Sequence, residues 1–365
     1  MTDHALRAAV LGAGWYAAQN HIPVLASCEG VVLDGVCRLG TDELERVRSH
    51  FGFAFASESY EEVLARRPDV VVVASPHHLH HRHAQAALEA GAHVLCEKPM
   101  TLDPAGAWDL VRLAEAHGRH LLVANGYHYL PQVDALRQRI ADGAIGRIEH
   151  VMASFISATR DVFEGERGLN AWETSFFRPD RATWQDPARG GGFAYGQLSH
   201  SLALVYFLTG LEPRSVSAHA FPAQGIDLAD AGAVLLSNGA VASISGAAAM
   251  PQGQRGLMRL FLTGSEGMLT AEFDRDWCEI RHSSGKLERL ELSEGDWIYR
   301  CDGPVTALVE LARGRGANLS PGRIGAAATA TIAAMRASAG AGGAAQPVVG
   351  AAADRTIDQL FQTTA

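Results

Sequence analysis

Gly91-Ala92-His93-Val94-Leu95-Cys96-Glu97-Lys98-Pro99-Met100 is a short apolar run that ends on a glutamate, a lysine and a proline. It reads as a buried strand that sets the Lys98 ammonium at its carboxyl end, where open α/β sheets bind ligands. Lys98 is therefore the first active-site candidate, against the plainer reading of a solvated loop lysine.

Working outward, strands and helices alternate on both sides of this run. Asp69-Val70-Val71-Val72-Val73-Ala74 is a β-branched stretch suited to burial on both faces of a parallel sheet. It opens into Ser75-Pro76-His77-His78-Leu79-His80-His81-Arg82-His83 and a helix to Ala90. The histidines raise a metal reading, since His77 with His80 or His81 could share one helix face. No cysteine or carboxylate in the same turn completes such a site, so no metal is expected. The preferred reading is a loop lining the nicotinamide side of a cofactor, with Ser75, Pro76, His77 and His80 in contact with it. Downstream, Asp103 is the expected N-cap of a helix from Pro104 to Ala116, and a strand follows at His120 to Ala124.

Upstream, the strand Leu6 to Leu11 runs into Gly12-Ala13-Gly14-Trp15-Tyr16-Ala17 and a helical segment to about Ser27. This is the order a dinucleotide fingerprint needs: Gly12 for the tight turn, Gly14 for close approach of pyrophosphate, and Ala17 for helix–sheet packing. Trp15 and Tyr16 join the expected cofactor site. The second strand, Val31 to Cys37, ends on Arg38 where an NAD site carries a carboxylate for the ribose. A guanidinium there favours the 2′-phosphate of NADP, and stacking on adenine with either cofactor is the competing reading. Alternation from residue 6 to 124 predicts an α/β fold, a doubly wound parallel sheet with helices on both faces.

Beyond Asn125 the pattern changes. Gly126-Tyr127-His128-Tyr129-Leu130-Pro131 leads into a helix, a turn at Gly146-Arg147 and a strand from Ile148 to Ser157. A polar, aromatic region from Ala158 to Arg189 follows, and loops of that length in a compact domain are usually functional. Its Arg160, Arg167 and Arg178, with Lys98 and the tryptophans at 172 and 184, would suit an anionic sugar, although loop arginines are more often surface residues. Gly190-Gly191-Gly192 then precedes Tyr195, Gly196 and His200 at the entry to an apolar helix. From Ser215 to Leu292 alternating segments and glycine turns read as a mainly antiparallel sheet, closed by helices at about 303–313 and 321–338. The expected organisation is a dinucleotide-binding domain at 1–124, a substrate-binding and oligomerisation domain at 125–350, and a tail at 351–365.

Composition narrows the partners. The chain has 365 residues, 47% hydrophobic, with a formal net charge of -9 from 31 basic and 40 acidic residues. Without a basic run there is no electrostatic footprint for nucleic acid. No unbroken apolar window is long enough to span a membrane, and Met1-Thr2-Asp3-His4 carries no signal-peptide pattern, so a cytoplasmic protein is expected. Cys28, Cys37, Cys96, Cys278 and Cys301 stand singly, which indicates neither a disulfide framework nor a zinc knuckle.

The ordered set of the glycine turn, Ser75-Pro76 and His80, Glu97-Lys98-Pro99, and the glycine triplet before His200 resembles the Gfo/Idh/MocA (glucose-fructose oxidoreductase/inositol dehydrogenase) family. The resemblance covers nearly the whole chain. It implies an N-terminal Rossmann domain, a C-terminal α/β domain whose open, mainly antiparallel sheet mediates homodimers or homotetramers, and NAD or NADP as cofactor. It also implies hydride transfer between nicotinamide and a hydroxyl of a sugar, cyclitol or sugar derivative. In that scheme Lys98 hydrogen-bonds the reacting oxygen, Glu97 belongs to the cofactor site, and His200 is the acid or base. The family's aspartate four residues before the histidine is Gly196 here. Tyr195, Tyr127 and His128 are the polar groups whose family positions could replace it. Gln185 stands where relatives carry an arginine after tryptophan. Two further functions stay open: a redox-neutral glycosidase or lyase that oxidises a sugar hydroxyl transiently, and a non-catalytic NAD(P)-binding regulator.

Overall fold

The strands form where β-branched and apolar residues run together, and their order is read from a computed structural model that describes residues 5–173, 175–223, 225–293 and 299–350. The expected tail lies outside the described residues. The chain divides into two compact units.

The first unit holds β1 (Leu6–Leu11), β2 (Val31–Cys37), β3 (Phe55–Ser57), β4 (Val70–Val73), β5 (His93–Cys96) and β6 (Leu121–Val123). They form one parallel sheet in the order β3-β2-β1-β4-β5-β6. This is the Rossmann order, and it reverses between β1 and β4, where such sheets open a crevice for dinucleotides. Val70 to Val73 are fully buried, as the run of four valines requires. β3 has only three half-buried residues at the sheet edge, too short to announce itself by alternation. Asp103 caps its helix by accepting from the Ala105 and Gly106 amides.

Two later segments pack with this unit: residues 171–183 and 301–326. The helix Asp302–Ala312 puts Val305, Leu308 and Val309 into the same core as Val10, Val72 and Leu95. Apolar spacing announces that such a helix is buried but not against which sheet.

The second unit carries β7 (Ile148–Ile156), β8 (Pro213–Ala223), β9 (Ile226–Leu236), β10 (Val241–Ala247), β11 (Leu257–Gly264), β12 (Gly267–Glu272), β13 (Trp277–His282), β14 (Leu287–Arg289) and β15 (Gln346–Pro347). Their order is β14-β13-β12-β11-β7-β10-β9-β8-β15. β7 pairs with β10 in parallel, and the other pairs are antiparallel. The helix Ser199–Thr209, apolar all round and buried throughout, packs on β7. On the other face Leu235 and Val241, directly opposite each other across β9 and β10, are exposed.

Candidate active site

In the first unit the site begins at the glycine turn. Gly12 has φ +91°, and a Cβ there would lie 2.3 Å from the backbone of Ser75, so only glycine fits. Beside Gly14 a Cβ would meet nothing within 4 Å. The turn is thus pressed against the β4 loop on one side and open on the other, which fits the approach of a pyrophosphate. Ala17 is buried and starts a π-helical turn, Ala17–His21. Trp15 donates its indole N–H to Gln19 at 2.8 Å, and the Tyr16 hydroxyl lies 3.0 Å from Cys301 Sγ.

Glu97 is buried and meets His21 Nε2 at 2.7 Å, and its other oxygen accepts the Lys98 amide at 3.0 Å. Burial works to raise the Glu97 carboxyl, but the hydrogen bond and charge of His21 and the charge of Lys98 hold it below the usual range. Burial pulls the Lys98 ammonium down, and the opposing negative charge of Glu97 does not restore it. Lys98 is therefore an amine whose proton is held less tightly than on a surface lysine.

The histidines of the β4 loop serve as struts. His80 is buried with Nδ1 2.7 Å from the Pro99 carbonyl and Nε2 2.7 Å from the Ser75 carbonyl, which ties the Ser75-Pro76 turn to the Glu97-Lys98-Pro99 turn. His83 Nδ1 lies 2.9 Å from Ser75 Oγ, and burial, with His80 nearby, pushes it down to about 4. His77 is buried edge-on to His80. Among the described residues no group of three His, Cys, Asp or Glu side chains converges as a metal site.

Arg38 follows β2 directly. Its Nη1 donates to the Ala13 carbonyl at 3.1 Å and its Nε to the Leu39 carbonyl at 3.2 Å. The guanidinium carbon sits 3.9 Å above the centre of the Phe177 ring. Burial lowers its pKa, against the charge of Glu43. Glu58 accepts from the Gly40 amide at 3.0 Å and the Thr41 hydroxyl at 3.2 Å, so a carboxylate also stands at this strand end.

In the second unit the glycine triplet sets the entry to the histidine helix. Gly192 has φ +109°, and a Cβ there would fall 2.4 Å from Asp227 Oδ1. Asp227 Oδ2 accepts the Ala194 amide at 2.6 Å, and Arg336 donates to Oδ1 at 2.9 Å. A second π-helical turn, Ala194–Leu198, then delivers His200 at the second position of the helix Ser199–Thr209. His200 is buried, with Tyr299 at 5.0 Å, Phe155 at 6.0 Å and Tyr127 at 6.1 Å between ring centroids. Tyr127 also lies edge-on to Tyr299 at 4.9 Å, and burial raises its hydroxyl well above the ordinary range.

The other expected residues of this half go elsewhere. His128 is fully buried and stacks flat on Phe207 at 4.4 Å, about two helical turns beyond His200. Tyr195 lies under the Arg336 guanidinium at 5.4 Å. A Cβ on Gly196 would meet Phe163 Cζ at 3.0 Å and Trp184 Cζ3 at 3.6 Å, so two aromatic rings fill the space of the absent carboxylate. Gln185 donates to the Val162 and Gly165 carbonyls and ties down the loop. Arg160 pairs with Glu164 one turn away.

Sequence reading misses His21, Asn125, Cys301 and Tyr299. His21 meets Glu97, Cys301 meets Tyr16 and Tyr299 meets His200 across long chain separations, so no local spacing marks those contacts. Asn125, just past β6, is buried with neither side-chain polar atom paired among the described residues.

Residues 6–125 match the family model described as an oxidoreductase family with an NAD-binding Rossmann fold, and residues 133–270 match the GFO/IDH/MocA C-terminal domain. The chain belongs to the Gfo/Idh/MocA oxidoreductase family. Among its relatives, the D-glucoside 3-dehydrogenase of Escherichia coli (strain K12) is 32% identical over 149 residues, 40% of this chain and 42% of that protein. A glycosyl hydrolase family 109 protein of Streptomyces coelicolor is 27% identical over 167 residues, 43% of this chain and 35% of that protein. The matched parts are thus less than half of either relative. A levoglucosan dehydrogenase solved with NADH and levoglucosan superposes with TM-score 0.76 at 20% identity, over 94% of this chain and 99% of that one, which establishes the shared Gfo/Idh/MocA fold. The first unit is accordingly the NAD(P)-binding Rossmann domain of this family. No helix among the described residues is long and apolar enough to cross a membrane.

Proposed function

We propose that the protein is an NAD(P)-dependent dehydrogenase acting on a hydroxyl of a sugar, cyclitol or sugar derivative. The observation that carries this reading is the buried Glu97–His21 pair at 2.7 Å, which fixes the turn holding Lys98 at a strand's carboxyl end. A protein that only sensed the dinucleotide would not need an amine of lowered pKa there.

A bound nicotinamide would supply the partner for hydride exchange with the sugar carbon. The chain's own groups manage the oxygen. Lys98 donates to the reacting oxygen and stabilises the negative charge that develops on it. His200 takes the hydroxyl proton, a step suited to an imidazole ring nitrogen as general base. Tyr127 and Tyr299, edge-on to the His200 ring, are positioning residues that hold it without the family's aspartate. Tyr195 and His128 brace the same helix through Arg336 and Phe207. Gly12, Gly14, Trp15, Tyr16, Ala17, Ser75, Pro76, His77, His80 and Glu97 form or support the cofactor site.

Arg38 makes NADP the preferred cofactor, because its guanidinium is pinned by Ala13 and Phe177 at the ribose end of the site. The exposed Leu235 and Val241 on the open sheet support a homodimer or homotetramer formed through that face.

A second reading is favoured by the family 109 relative and by Gly196: redox-neutral glycoside cleavage, in which hydride is returned within the same turnover. Absorbance at 340 nm with a panel of sugars and glycosides separates the two. Net formation or loss of reduced cofactor supports the dehydrogenase; release of aglycone without it supports the second reading.

A further inference from the structure

The long aromatic loop of the sequence delivers one piece, residues 171–183, to the Rossmann unit. Three of its rings are anchored there independently. Trp172 lies edge-on to Trp15 with ring centroids 5.5 Å apart. Phe176 packs on Phe51 at 5.7 Å and on His50 at 4.9 Å, beneath the Arg46 guanidinium at 4.3 Å. Phe177 carries Arg38 on its face at 3.9 Å. The Ser175 hydroxyl lies within 3.0 Å of the Trp172 carbonyl and 2.6 Å of the Phe177 carbonyl, which closes the piece on itself.

Trp172 is buried, and its indole N–H finds no hydrogen-bond partner among the described residues. The Trp15 indole beside it is satisfied by Gln19. Folded proteins rarely leave a buried donor idle, because its desolvation goes uncompensated, and such a group points to a ligand. Trp15 directly follows Gly14, beside which the space is open. A dinucleotide on such a turn brings its pyrophosphate and the adjoining ribose there, both rich in acceptor oxygens.

We propose that Trp172 is a dinucleotide-binding residue, donating its indole N–H to an oxygen of the ADP-ribose half of the cofactor, with the Phe176–Phe177 anchor holding it in place. The proposal rests on the reading that the first unit binds NAD(P). It makes the strap a device for retaining the cofactor: residues from beyond position 170 cover a site whose glycine turn lies near the start of the chain. Breaking the contact acts mainly on release.

The test is calorimetric titration of the full chain with NADH, NADPH and ADP-ribose, together with stopped-flow release of NADH. Trp172→Phe keeps an aromatic ring beside Trp15 and removes the N–H together with the rest of the five-membered ring. We expect it to weaken all three ligands by about 10-fold or more, as loss of a hydrogen bond to a charged or strongly polar acceptor does, and to speed NADH release by a similar factor. The sugar KM at saturating dinucleotide stays unchanged. Phe177→Leu, which loosens the anchor, gives a smaller loss in the same direction. Unchanged affinity and release for a Trp172→Phe protein that melts like the unmodified one would overturn the proposal. So would a loss confined to NADH and NADPH and absent with ADP-ribose, since that places the contact on the nicotinamide half. If the unmodified chain binds none of the three, the dinucleotide reading itself fails and takes this one with it.

Discussion

A Cβ on Gly196 would stand 3.0 Å from Phe163 Cζ, tighter than the ring can accept without moving. Phe163 is almost fully buried and packs against Trp184 and Phe193, so it has little room to retreat. The absence of the family's aspartate is therefore built into the packing around it. Restoring the carboxylate alone, Gly196→Asp, inserts a charge between aromatic rings. The expected outcome is a loss of about 1 to 3 kcal/mol of stability and no gain in turnover, read from denaturant melts and initial rates. Phe163→Ala leaves a cavity and is itself destabilising, so the clash is read from the double-mutant cycle: Gly196→Asp costs less in the Phe163→Ala background than in the unmodified protein, and strict additivity would show that Phe163 is not the obstacle.

In the proposed reaction Lys98 acts on the charge of the oxygen and His200 on its proton. Lys98→Ala and His200→Ala each lower kcat by about 10² to 10⁴ with little change in dinucleotide affinity. If they serve one transition state, the double variant is far less impaired than the product of the two losses. Strict multiplicativity in steady-state rates rules out the shared role. Tyr127→Phe and Tyr299→Phe retain both edge-on rings, so they leave turnover much closer to normal than Tyr299→Ala does.

The proposed preference for NADP rests on one charge-assisted contact of Arg38. The unmodified protein binds NADP at least as tightly as NAD, and Arg38→Asp reverses the order by about 10 to 100-fold, measured by titration. A clear NAD preference in the unmodified chain assigns the ribose end to the Glu58 carboxylate instead.

Asp230, on β9, is buried beside Asp227. Burial first, and then the negative charge of Asp227, raise its carboxyl above the ordinary carboxylate range. An acid whose folded pKa is raised binds more protons folded than unfolded. Its stabilising effect is complete below the unfolded value and is lost as pH rises through the folded one. Asp230→Asn mimics the protonated form, so it melts at a higher temperature than the unmodified protein in alkaline buffer, and the gap closes toward pH 4. Parallel melting curves across that range contradict the shift.

What the sequence determined by itself is everything that depends on local order. The run of four valines, the glycine turn between a strand and a helix, the Glu97-Lys98-Pro99 ending and the glycine triplet before His200 each state their geometry within a few residues. Backbone sterics and hydrophobic periodicity act over that distance, and the parallel sheet, its short edge strand β3 excepted, follows from their repetition. Tertiary structure alone decided which groups meet. His21 reaches Glu97 across 76 residues and Tyr16 reaches Cys301 across 285, because the fold and not the spacing brings them together. Tyr127 and His128 are neighbours in sequence, yet one faces His200 and the other stacks on Phe207. The strap shows the same limit: its aromatics announce burial, but a phenylalanine's spacing carries no label for its partner, and packing placed Phe177 under Arg38. Burial is a property the chain writes locally, whereas contact is decided only when the whole core closes.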